Sequence, residues 1–137
     1  MNTIVRAVSS AEVHNLTNAP KVIVPGVVGH LYSIIHAVIE YIAGSIPYTT
    51  DDETKLSLQL GDASGSPLDS PFNFIPTNGF LTATTNQVMR LTANPGYDML
   101  PTSLAGGVGV YLTTNGSDVM NGNGTLKVTV AYEDILL

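Results

Sequence analysis

The chain has no cysteine. Disulfides, thiolate nucleophiles and Cys-ligated zinc or iron–sulfur centres are therefore excluded. It has no tryptophan either, so it lacks the largest aromatic side chain that could serve as a platform in a sugar cleft. Charge is scarce. Asp, Glu, Lys and Arg make up 12% of the 137 residues, against about 25% in a typical soluble domain. The basic residues are Arg6, Lys21, Lys55, Arg90 and Lys127, scattered along a chain of net charge −6. Nucleic acid is not an expected partner, because phosphate binding needs clustered Lys and Arg. An acidic chain is also not expected to seek an anionic membrane surface. Met1 to Arg6 shows no basic region followed by an apolar run, so no secretion signal is expected. The long apolar stretch from Val22 to Ala43 contains Pro25, His30, His36 and Glu40. Those polar groups would be costly in lipid, so a buried core segment is expected there.

What is present fits one ordinary domain. The length suffices for a hydrophobic core, and 44% of residues are hydrophobic, unlike a disordered chain. A lone monomer usually keeps a well-charged surface. So few charges suggest a surface covered in part by partners and otherwise filled by Thr, Ser and Asn.

The clearest period is two. Leu126, Val128, Val130 and Tyr132 alternate with Lys127, Thr129 and Ala131, as in a half-buried strand. Leu56, Leu58 and Leu60 alternate in the same way, as do Val108, Val110 and Leu112. The last two strands are expected to pair as a long-looped hairpin across Asn115-Gly116 and Asn121–Gly124. Lys21–Val24 is a short β-branched run before Pro25-Gly26, and Ala11–Leu16 has no clear period. Val27–Ile42 fits two patterns. Leu31, Ile34, Ile35, Val38, Ile39 and Ile42 follow helical spacing. A strand covered on both faces fits equally, with Tyr32, His36 and Glu40 on one side. Gly61–Pro71 reads as a loop, Asn78-Gly79 as a turn and Asn94–Ala105 as irregular. Short strands between Gly, Asn and Pro turns indicate a sandwich or barrel. The expected fold is therefore all-β, an antiparallel β-sandwich over residues 21–137. Residues 1–20 form an extended N-terminal arm or a first strand.

No catalytic constellation emerges, and an enzyme is not expected. On a strand, His30 and His36 would lie roughly 20 Å apart, too far to share a metal ion; His14 is more distant in sequence. Asp51-Asp52-Glu53, with Asp62 and Asp69 on another loop, offers oxygens for calcium, but the EF-hand pattern is missing. There is no Gly-x-Ser-x-Gly elbow and no phosphate loop after Gly106-Gly107-Val108-Gly109. No cofactor and no metal are expected.

Three stretches carry a resemblance. Lys21-Val22-Ile23-Val24-Pro25 leads into the apolar segment ending near Tyr48-Thr49-Thr50, and Leu56–Gly61 follows. The third is the C-terminal half, from Asn78–Val88 through Gly107–Thr114 to Asn121–Tyr132. In order and texture the chain resembles small tailed-phage virion proteins, particularly capsid decoration or cement proteins with a jelly-roll-like sandwich. The resemblance implies a homotrimer seated on the capsid, partnered by the major capsid protein or other virion proteins. It also implies a strand for Val27–Ile42, an N-terminal arm reaching a neighbour and no catalytic residues. The location would be the virion surface, after synthesis in the host cytoplasm. Candidate interface residues are Tyr32, His36 and Glu40 on the long strand, and Ile4, Val5 and Arg6 on the arm. The rival expectations are a tail, baseplate or fibre-adaptor subunit, a carbohydrate-binding jelly-roll module and, least favoured, a small hydrolase.

Overall fold

Alternation along each strand decides which side chains enter the core, and pairing decides which strands stack together. A computed structural model of the chain describes residues 1–61, 67–69, 72–91 and 107–137. In order they form β1 (Asn2–Val8), helix α1 (Ser10–His14), β2 (Lys21–Val24), β3 (His30–Ile42), β4 (Tyr48–Thr49) and β5 (Lys55–Gly61). There follow β6 (Pro67–Asp69), β7 (Ile75–Pro76), a helical turn α2 (Thr77–Phe80), β8 (Gln87–Leu91), β9 (Gly109–Asn115), β10 (Met120–Asn121) and β11 (Thr125–Leu136). Most of the loop expected over 61–71, and all of the irregular stretch over 94–105, fall outside the described residues. The side chains of Asp62 and Asp69 do too.

The strands form two main antiparallel sheets. One has the order β1-β11-β3-β8 and the other β2-β9-β5-β6, with β7 also on β5. Setting aside the short β4, β7 and β10, the pairing is nested. β1 pairs with β11, β2 with β9, β3 with β8 and β5 with β6. Successive pairs fall in alternate sheets, so the chain wraps as a folded ribbon. The all-β antiparallel sandwich read from the sequence is the fold found.

The core lies between the sheets. Ala37, Ile39, Val128 and Val130 face it from the first sheet, and Leu56, Leu58, Leu60, Val110 and Leu112 from the second; all are buried. The opposite side of β5 and β9 carries Ser57, Gln59, Tyr111 and Thr113, and it is buried as well. Close backbone approach ties β2 to β9. A Cβ on Gly109 would lie 2.7 Å from the Val24 carbonyl oxygen and 2.8 Å from the Gly26 nitrogen, so only glycine fits.

Several expectations are corrected. β9 and β11 do not form a hairpin; they lie in different sheets. Their connection crosses the sandwich, and on the way β10 pairs with β4. Alternation marks a strand but does not name its partner. Of the extended arm and the first strand expected within residues 1–20, a first strand is what forms. Asn2–Val8 is an edge strand in unbroken register with β11, from Asn2↔Tyr132 to Val8↔Leu126. Ala11–Leu16, without visible period, begins in α1. Its start is a capping box: the Ser9 hydroxyl accepts from the Glu12 amide at 3.2 Å, and Glu12 Oε1 accepts from the Ser9 amide at 3.1 Å. Val13 and Leu16 then turn inward.

Val27–Ile42 resolves as β3, beginning at His30. β11 lies along one edge and β8 along part of the other, so tertiary pairing decides between two patterns that local sequence left open. β3 contains a bulge. His36 pairs with Ala131 but Ile34 with Tyr132, leaving Ile35 as the extra residue. Alternation changes phase there. Ala37, Ile39 and Tyr41 point inward after the bulge, whereas Tyr32 and Ile34 point inward before it.

Deleting Ser33, which lies before the bulge, is therefore predicted to turn Tyr32 out of the core, costing about 2 kcal/mol or more. Ile35→Ala keeps the bulge at a half-exposed position and should cost under about 1 kcal/mol. Urea unfolding midpoints of the two variants check this difference.

Candidate interaction surface

The outward face of the first sheet follows from its register. Thr3, Ala131 and His36 form one row across it. Val5, Thr129, Val38 and Arg90 form the next, and Ala7, Lys127, Glu40 and Val88 the third. The solvent side of an antiparallel sheet is normally polar. Here Val5 (53% exposed), Ile35 (46%), Ile42 (44%), Val88 (64%) and Ile135 (41%) all stand in solvent. The charges of this face are partly neutralised. Lys127 Nζ meets Glu40 Oε2 at 2.9 Å. Arg90 makes no ion pair among the described residues. His36 Nδ1 is enclosed and has no hydrogen-bond partner among them.

The six residues singled out from the sequence divide. Val5, His36 and Glu40 belong to this outward face. Tyr32 does not share it, because the bulge turns it inward. Its ring packs edge-on against Tyr132, and its hydroxyl donates to the Pro25 carbonyl at 2.9 Å. Burial, together with the nearby Asp134 charge, raises its pKa. Ile4 packs partly buried against the core. Arg6 turns inward too, and its Nε donates to the Ile23 carbonyl at 3.1 Å, bridging the two sheets. Sequence alone did not single out Ile35, Ile42 or Val88. Their exposure depends on the bulge and on β8 pairing with β3.

The titratable groups are dispersed. His14 lies against Tyr48 and contacts the Asn121 carbonyl. His30 Nδ1 meets Asp134 at 2.8 Å. Asp51 closes its own turn, accepting from the Thr54 hydroxyl and amide at 2.7 Å each and from the Glu53 amide at 3.0 Å. The Thr54 hydroxyl, followed by the Thr54 amide, holds its pKa below the ordinary carboxylate value. Glu12 is lowered first by Lys21, 2.5 Å away. Among the described residues no group of three His, Asp or Glu is placed to hold a metal ion, and no helix is long and apolar enough to cross a membrane.

One end of the sandwich is closed by an aromatic cluster of Tyr41, Tyr48 and Phe80. Gly124 is needed there, since a Cβ would lie 2.5 Å from the Tyr41 ring. The Tyr48 hydroxyl donates to the Gly124 carbonyl. Burial, and to a lesser extent Tyr41, pushes its pKa up to about 12.

The chain is thus an antiparallel sandwich offering a broad aliphatic and threonine-rich sheet face. No family model matches it, and no curated protein matches it in sequence. Its fold is similar to that of a chain in the solved capsid asymmetric unit of cyanophage Pam1. The TM-score is 0.55 and the identity 17%, over 96% of this chain and 82% of that one. At this identity the likeness speaks to the fold.

The raised Tyr48 pKa sets a pH dependence. The unfolded phenol titrates near 10, so the folded state holds the proton more tightly. This contribution to stability is complete below about pH 10 and is lost as pH rises toward about 12. Tyr48→Phe should cost about 1 kcal/mol at neutral pH through the lost hydrogen bond. It should also flatten the alkaline loss of stability between pH 10 and 12. Denaturant titrations across that range, on both proteins, measure it.

Proposed function

We propose that the chain is a structural virion protein of a tailed phage: a capsid decoration or cement subunit that bridges neighbouring shell proteins. The observation that carries this reading is the fold shared with a capsid chain over nearly the whole length. The nested strand order agrees, because two interleaved Greek keys make a jelly roll, an architecture used by viral capsid domains.

Buried area supplies the mechanism. A specific interface of ordinary size buries about 1,600 Å², and the outward face of β1-β11-β3-β8 offers aliphatic side chains to such a contact. Threonines and the Lys127–Glu40 pair add hydrogen-bonding groups without a large charge to desolvate. The exposed Arg90 supplies a directional contact. Repetition over a closed shell turns modest contacts into a large combined effect. In this reading the subunit assembles as a homotrimer, and its location is the virion surface.

The test uses purified chain and capsid shells that lack it. Wild type is expected to pellet with the shells and to saturate. Ile35→Asp combined with Val88→Asp places two charges on exposed positions of the face. The fold should survive, with an unchanged circular dichroism spectrum, while shell affinity falls about tenfold or more, equivalent to 1.4 kcal/mol. Undiminished binding by the folded double variant would contradict this use of the face. Absence of wild-type binding would contradict the reading itself.

A further inference from the structure

A sheet edge exposes a row of unpaired backbone donors and acceptors, and proteins usually block such edges with charge, proline, bulges or brevity. Among the described residues the two main sheets have four edges: β1, β8, β2 and β6. Three are blocked. β2 has four residues, starts at Lys21, lies between Pro20 and Pro25 and has a register shift at Ile23. β6 has three residues and opens on Pro67. β8 has five, carries the exposed Arg90, and is flanked by the segment from Ile75 to Phe80, with which Gln87 and Met89 line a groove.

β1 is different. Its seven residues, Asn2-Thr3-Ile4-Val5-Arg6-Ala7-Val8, run without proline or register shift. Its only charged side chain, Arg6, is drawn inward to the Ile23 carbonyl. No acid lies within it, although the chain carries −6 overall. Among the described residues no strand pairs with its outer edge.

We infer that β1 pairs with β1 of a second copy, antiparallel across a twofold axis, joining two four-stranded sheets into one. The occupant follows from the edge comparison: among the described residues a copy of this chain has one open edge to offer, so the contact is isologous. Full overlap centres the axis on Val5. Val5 then faces Val5 of the copy, Thr3 faces Ala7, Ile4 faces Arg6 and Asn2 faces Val8. No charge opposes a like charge. The pairing is independent of the virion reading and is compatible with further contacts of other symmetry.

The test needs only the purified chain, which has no cysteine to interfere. Val5→Cys is expected to form a covalent dimer on mild oxidation, seen at twice the 14.4 kDa chain mass on a non-reducing denaturing gel. Glu53→Cys, on an exposed loop far from the axis, should not. Val5→Lys sets two like charges face to face at an exposed position. It should halve the native mass in analytical ultracentrifugation while leaving the circular dichroism spectrum unchanged. An unchanged native mass for folded Val5→Lys overturns the pairing, whether or not Val5→Cys cross-links. So does equal cross-linking by Val5→Cys and Glu53→Cys. Either failure would leave the shell-binding test of the virion reading untouched.

Discussion

The sandwich depends on the pairing of β3 with β11. These are the two longest strands, and their ladder runs from Ile42↔Thr125 to His30↔Leu136. β1 attaches to the far side of β11 and β8 to the far side of β3. The first sheet is therefore assembled around this central pair. Its inner residues, Ala37 with Val130 and Ile39 with Val128, form one wall of the core. Its outer residues form the face assigned to contact with other proteins. The Ile35 bulge serves both sides. It keeps Tyr32 and Ile34 in the core and leaves Ile35 itself in solvent, adding an aliphatic residue to the outer face.

Strand positions were largely legible. β5, β9 and β11 alternate cleanly, because each presents one side to the core between the sheets. Partners were not legible, since alternation reports which side is buried and says nothing about the neighbour. That is why β9 and β11, close in sequence and similar in pattern, look like a hairpin yet sit in opposite sheets. β3 was ambiguous for another reason. It is apolar at nearly every position, so both a 3.6-residue and a 2-residue period find support in it. α1 was missed because it has only one buried residue, Val13. Its capping box, Ser9 with Glu12, was the readable signal.

The candidate surface was legible in part. Val5, His36 and Glu40 lie on one sheet face, but their lateral order comes from the register. Tyr32 was assigned to the same face by counting in twos along β3. A single inserted residue defeats that count, and the bulge becomes visible only when the partner strand is known. Arg6, conspicuous as a rare basic residue, links the two sheets within its own chain. Charge scarcity proved a guide to the surface. The first sheet's outer face combines aliphatic residues, threonines and one neutralised ion pair, while β1 lacks the charges that commonly protect an edge.

These features support the proposal of a protein that works by being packed against others. The most direct measurement is electron microscopy of intact particles made by the genome that encodes this chain, at a resolution that traces strands. The expected result is repeated density for this sandwich on the shell, with the β1-β11-β3-β8 face buried against neighbouring protein. Particles of full composition that lack the chain, or that carry it with this face entirely in solvent, would contradict that conclusion.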